Sequence, residues 1–147
     1  MRPRALPAPS LRTMVDIVLR GLVAAGLAVD AAVHADLAPI YTGIHASISE
    51  ATLFRIEAGV SAAAALLVLT VGRRVGFGAA FAVAASALGA ILLYRYVDVG
   101  RLGPLPNMYE PAWFGEKSLA ALAEAGATAL AAVGLLRAFR ARGRERS

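Results

Sequence analysis

No cysteine occurs among the 147 residues, which excludes disulfides, thiolate-held metals and thiol–disulfide exchange. The quinone-coupled disulfide-forming enzymes, a populated class of small four-helix membrane proteins, are excluded with them. Lysine is nearly absent, since 14 of the 15 basic residues are arginine. There is no Walker loop, no dinucleotide glycine fingerprint and no nucleophile elbow, so a soluble-type nucleotide or hydrolase mechanism has no support. Neither a Glu-x-x-His pair nor His-Glu-x-x-His is present, so the di-iron bundle and zinc-protease signatures are missing and no metal is assigned. Charge itself is missing from residues 75–94, which hold no Asp, Glu, Lys or Arg.

What fills the chain instead is apolar. Hydrophobic residues make up 59% of it and the mean hydropathy is +0.64, against about 45–50% apolar in ordinary soluble domains. A soluble protein of this size could not hide that much apolar surface in one core. The composition predicts an all-α integral membrane protein of a single domain.

Four apolar segments stand out, at about 17–37, 48–71, 75–94 and 118–136. Each is close to the ~20 residues that cross ~30 Å of hydrocarbon at 1.5 Å per residue. The first reads as a span and not as a cleaved signal peptide, because it is long and Asp30 breaks it. Between the second and third lies only the turn GRRVG, which makes those helices antiparallel neighbours. The expectation is an antiparallel four-helix bundle with loops at 38–47 and 95–117 and short basic tails at 1–16 and 137–147. Ser47 to Glu50 fits a capping box opening the second helix. Gly59, Ala62, Ala63, Ala85, Gly89, Gly126 and Ala129 offer close helix approach.

Charge gives the direction. The side with both tails and Arg73-Arg74 collects eleven basic residues against two acidic ones, +9; the other side collects four against eight, −4. The positive-inside rule places both termini in the cytoplasm and both longer loops outside, in an inner (plasma) membrane. Arginines gathered at chain ends and one turn do not form a nucleic-acid patch, and no nucleic-acid partner is expected.

Three carboxylates on three segments fall at one depth. Asp30, Glu57 and Glu124 lie roughly 9–15 Å below the outer surface at 1.5 Å per residue. His34 stands four residues from Asp30 and so shares its helix face. An ionised carboxylate in hydrocarbon costs at least ~2.5–3.5 kcal/mol, so these groups should face inward, pair or carry a proton. Arg95, at the end of the third segment, is the expected cationic partner. Arg55 is two residues from Glu57, about 200° around the helix, so both cannot face inward. The residues predict an outward-open polar pocket of Asp30, His34, Glu57, Arg95 and Glu124. The competing reading is a charge-paired network that only fixes helix register. His45 falls in a loop and is expected to be solvated.

The segment YRYVDVGRLGPLPNMYEP, residues 94–111, begins the second loop. Its prolines stiffen it, its glycines permit turns, and its aromatic residues match an outer interfacial belt. Asp98, Arg101 and Glu110 are expected to bridge within the loop layer, making it a lid that also carries Tyr109 and Trp113.

The layout over residues 14–137 resembles small bacterial four-helix membrane proteins of the DoxX-like type. LFRIEA and YRYVDVGRLGPLPNMYEP look like signature segments of such a group. The resemblance implies a multi-pass inner-membrane protein and carries no site residue over. The expected role is a binding or redox-accessory component. An assembly subunit of a larger membrane complex, and an enzyme or carrier for a lipid-soluble substrate such as a quinone, are the alternatives. Membrane lipids are the expected partners, with a membrane-protein partner or a second copy as further candidates. No residue pattern establishes catalysis.

Overall fold

The computed structural model describes residues 10–144; Arg2, Arg4, Glu145 and Arg146 of the basic tails lie outside the described residues. Ser10 opens the first helix, its hydroxyl accepting a hydrogen bond from the Thr13 amide at 3.3 Å, which satisfies an otherwise orphaned donor. Helix α1 then runs Leu11–Leu37, α2 Glu50–Thr70, α3 Arg73–Tyr96 and α4 Gly115–Arg144, with a short 3₁₀ turn at Ile40–Gly43. Each of the four is long and apolar enough to cross a membrane.

The cap of α2 differs from the predicted capping box. Ser49, not Ser47, is the N-cap and accepts from the Thr52 amide at 3.1 Å. The reason is the strand-like bend before it, where His45 and Ser49 bridge and the Glu50 amide donates to Ile44 O at 2.9 Å. Glu50 therefore stands in the first helical turn, buried against its neighbours.

Side chains near the helix ends fix the alternation of direction. Arg20, near the start of α1, donates to the carbonyls of Val68 and Val71 at 2.7 and 2.9 Å. It thereby caps the C-terminal end of α2 with positive charge, where the helix dipole favours it. Arg74, at the start of α3, donates to Ala138 O near the end of α4 at 3.4 Å. Asp16 holds both Arg20 (3.1 Å) and Arg73 (2.7 Å). The start of α1, the α2–α3 turn and the end of α4 thus meet at one end of the bundle. The two longer connections meet at the other, the loop end. Each helix packs on its neighbours in chain order, and α4 closes against α1.

The interior is built from small residues. Ala64, Ala65, Val68, Ala80, Ala84, Ala127 and Ala131 are buried with Val23, Leu27 and Phe77. Meanwhile Leu66, Leu69, Leu122, Leu136 and Phe139 stand exposed on the outside. Small residues inside let backbones approach closely and gain dispersion contact. Gly134 shows how close: a Cβ there would sit 2.5 Å from the Phe77 ring.

The residues expected to make this approach are mostly not the ones that do. Gly59, Ala62, Ala63, Gly89, Gly126 and Ala129 face outward, because the inward stripes follow other phases. On α4 that stripe is Ala120, Glu124, Ala127, Ala131, Gly134 and Ala138, the three-and-four spacing of one helical face.

Candidate functional site

Four of the predicted site residues come together at the loop end. Asp30 is fully buried on the inward stripe of α1. His34 lies one turn further along, with Nδ1 2.9 Å from Asp30 Oδ1 and 3.1 Å from the Asp30 carbonyl oxygen. From α2, the Ser61 hydroxyl lies 2.6 Å from Asp30 Oδ2 and 3.2 Å from Glu57 Oε1. A hydroxyl has one proton to give, and the shorter contact directs it to Asp30. From α4, Glu124 brings its carboxylate to the same place: one ligand atom each of Asp30, His34 and Glu124 lie within 4.8 Å of one another. Glu124 is 1% exposed, and neither of its oxygens has a hydrogen-bond donor among the described residues.

Arg95 does not join them. Its guanidinium lies over the rings of Tyr96 at 5.0 Å and Trp113 at 5.7 Å, and it forms no ion pair among the described residues. The expected partnership fails on direction, not depth. On α3 the inward line runs Ala84, Ala87, Ile91 and Tyr94. Arg95, one residue on, points about 100° away. Aromatic faces then offer the cation a better neighbour than distant carboxylates. Arg55 is exposed while Glu57 turns inward, as their spacing requires.

Above the cluster lies a cavity of about 370 Å³. All four helices contribute to it, and its walls are apolar: Val33, Leu37, Leu53, Phe54, Ala87 and Ile91. His34 and Glu57 stand at the cluster side. Glu50, Glu110, Lys117, Tyr41 and Tyr94 also face it. Glu50 and Glu57 are seven residues apart, hence on one face of α2 and about 10 Å apart along its axis at 1.5 Å per residue. The cavity is therefore apolar in the middle with polar groups at both ends. His34 stacks edge-on against Phe54 at 5.2 Å, and Phe54 meets Tyr41 at 4.9 Å, which fixes the imidazole plane. With Nδ1 turned to Asp30, Nε2 is the ring atom left for a ligand.

The predicted lid covers this cavity, held differently from expectation. Gly100 and Gly103, at φ +64° and +58°, take the left-handed turns that side chains disfavour. Asp98 accepts from the Gly100 amide and from Asn107 at 3.1 and 3.0 Å. Arg101 donates to Gly103 O at 3.3 Å, and Glu110 accepts from the Ala112 amide at 3.0 Å. Among the described residues none of Asp98, Arg101 and Glu110 is in an ion pair with another. Side-chain bonds to nearby amides and carbonyls replace the expected bridges, because loop backbone groups lack secondary-structure partners. The Ile48 amide donates to Pro104 O at 3.1 Å, the Glu110 amide to Tyr94 O at 3.1 Å, and Lys117 Nζ to Glu110 O. Those three bonds fasten the lid to the connection just before α2, to α3 and to α4. Tyr109 and Trp113 are exposed on its outer side, and Leu105 and Met108 face the cavity with Glu110. His45 is exposed, and burial pushes the Tyr41 hydroxyl pKa up.

Several of these residues are absent from the predicted pocket. Ser61 is four residues past Glu57, and Lys117 is seven before Glu124, as Glu50 is before Glu57. Helical spacing from a carboxylate already singled out was the available signal. Leu105 and Met108 carry no such signal. The chain matches no family model, no curated protein and no solved structure at a significant level.

Proposed function

We propose that the protein is a multi-pass membrane protein that binds a lipid-soluble molecule with a polar head, of the quinone class, in the loop-end cavity. The observation that carries this reading is an apolar space of about 370 Å³ between four helices with His34 and Glu57 at one end. Ligand sites have this composition: mostly apolar walls with a few placed polar groups. A ring carbonyl at His34 Nε2 would meet an imidazole whose other nitrogen is held by Asp30, an arrangement suited to passing a proton. A role as binding or redox-accessory component follows from that chemistry.

The charge asymmetry, +9 against −4, supports placing both termini and the α2–α3 turn in the cytoplasm and the lid outside an inner membrane. Large apolar side chains on the bundle exterior support a hydrocarbon surround with lipids as partners. The DoxX-like layout belongs to the same proposal and rests on helix number and the short central turn. The reading as an assembly subunit draws on the exposed Tyr109 and Trp113, aromatic residues being enriched where proteins dock.

The test is gentle purification of the full chain in detergent, followed by mass-spectrometric identification of extracted small molecules. The expected result is a quinone-class amphiphile near one per chain, lost in Ala90→Phe. Ala90 lines the cavity without being part of the buried core, so the bulk enters the cavity and leaves the packing intact. Nothing bound, or equal binding to both proteins, would count against the proposal.

A further inference from the structure

The loop-end cluster buries a carboxylate, Glu124, that has no hydrogen-bond donor among the described residues. Asp30 and Glu124 are 0% and 1% exposed. Both Glu124 oxygens lack a hydrogen-bond donor among the described residues, and Asp30 Oδ1 has His34 Nδ1 at 2.9 Å. Buried polar atoms are nearly always paired, and buried charges are paired or coordinate metals. Arg95, the nearest candidate counter-charge in the sequence, is turned to Tyr96 and Trp113. The unserved Glu124 carboxylate from α4 comes to the Asp30 and His34 pair of α1, one ligand atom of each lying within 4.8 Å of the others.

We propose that Asp30, His34 and Glu124 bind one divalent transition-metal ion of the Zn²⁺, Mn²⁺ or Fe²⁺ type beneath the cavity. One imidazole and two carboxylates form a mixed nitrogen and oxygen set that suits these ions. It is too small for calcium, which takes six to eight oxygens. The 2.9 Å between His34 Nδ1 and Asp30 Oδ1 is a separation that two ligands of one ion keep. Bonds of about 2.0–2.2 Å at roughly 90–110° place donors about 2.9–3.5 Å apart. Glu124, within 4.8 Å of both, closes on them with a small side-chain movement. Ser61, 2.6 Å from Asp30 Oδ2, fixes the carboxylate from outside, as metal ligands are commonly oriented. A dication balances the two carboxylates, and three protein ligands leave a position for water or another small ligand. A metal on Nδ1 takes the place of the proton that Nδ1 otherwise shares with Asp30, and Nε2 stays turned to whatever the apolar cavity binds.

The experiment uses the full chain in detergent, stripped with EDTA and then equilibrated with Zn²⁺, with the bound metal counted by mass spectrometry. The expected result is one Zn²⁺ per chain, weakened at least tenfold in Glu124→Gln and in Asp30→Asn and unchanged in His45→Ala. Cobalt in place of zinc should give visible absorption bands that added Zn²⁺ removes. No Zn²⁺ on the wild-type protein, or equal binding by wild type and Glu124→Gln, overturns the proposal and leaves a proton as the neutralising cation. Loss of binding in His45→Ala assigns the metal to an exposed histidine and also overturns it. Should Glu124→Gln not fold, the cobalt spectrum of the wild-type protein decides alone: absence of those bands refutes the site.

Discussion

The two ends of the bundle handle buried charge in opposite ways. At the end that gathers the α2–α3 turn, Asp16 holds Arg20 and Arg73, and Arg20 also caps the last carbonyls of α2. Arg20 further lies 5.6 Å from the centre of the Phe77 ring. There the charged groups serve one another and the helix ends. At the loop end Asp30, Glu57 and Glu124 converge with His34 and Ser61, and among the described residues no arginine or lysine is paired to any of them. The first arrangement accounts for its own stability. The second has no arginine or lysine in an ion pair among the described residues and opens on a cavity.

Packing follows the same division. Phe77 is fully buried in the larger cluster, whereas Phe54 is partly buried and borders the cavity. Phe77→Ala should lose about 3–5 kcal/mol, the range for deleting a well-packed aromatic side chain. Phe54→Ala should lose about 1–2 kcal/mol, because one side of its ring already faces open space. Reversible unfolding of the purified protein measures both. Equal losses would mean that the loop half is packed as densely as the other, and the contrast between the ends would fail.

The smallest effect is expected on the lid. The Tyr109 side chain is exposed on its outer side, so Tyr109→Phe should change stability by no more than about 0.5 kcal/mol. Ligand retention in the same preparation should be unchanged. A large loss of either would move the lid's outer face into the site.

Much of the fold was legible because each helix carries a long apolar stretch punctuated by glycine, proline or clustered charge. The cluster was partly legible. Asp30 and His34 share a face by spacing alone, and Glu124 is in phase with Ala120, Ala127 and Ala131. What brings Glu124 to Asp30 is the register between α1 and α4, set by close contacts such as Gly26 against Ala127, and no single helix records it. Arg95 was misjudged because depth along a helix says nothing of bearing around it. The small residues Gly59 and Gly126 were misjudged for the same reason, since abundance of alanine and glycine hides which stripe is inward. The lid's hydrogen bonds depend on two left-handed glycines and on non-local backbone partners, which local sequence does not specify.

The most direct test sets the two ends side by side with isosteric amide substitutions, Asp16→Asn and Glu124→Gln, in metal-free protein. Asp16→Asn removes the charge that holds two arginines and should lose about 1–3 kcal/mol in unfolding experiments. Glu124→Gln replaces a buried carboxyl group beside Asp30 with an amide that can donate to it, so stability should hold or rise by about 1 kcal/mol. The account predicts that only the first substitution destabilises. A loss at Glu124→Gln equal to or greater than that at Asp16→Asn would contradict it, because the loop-end carboxylates would then be supporting the fold.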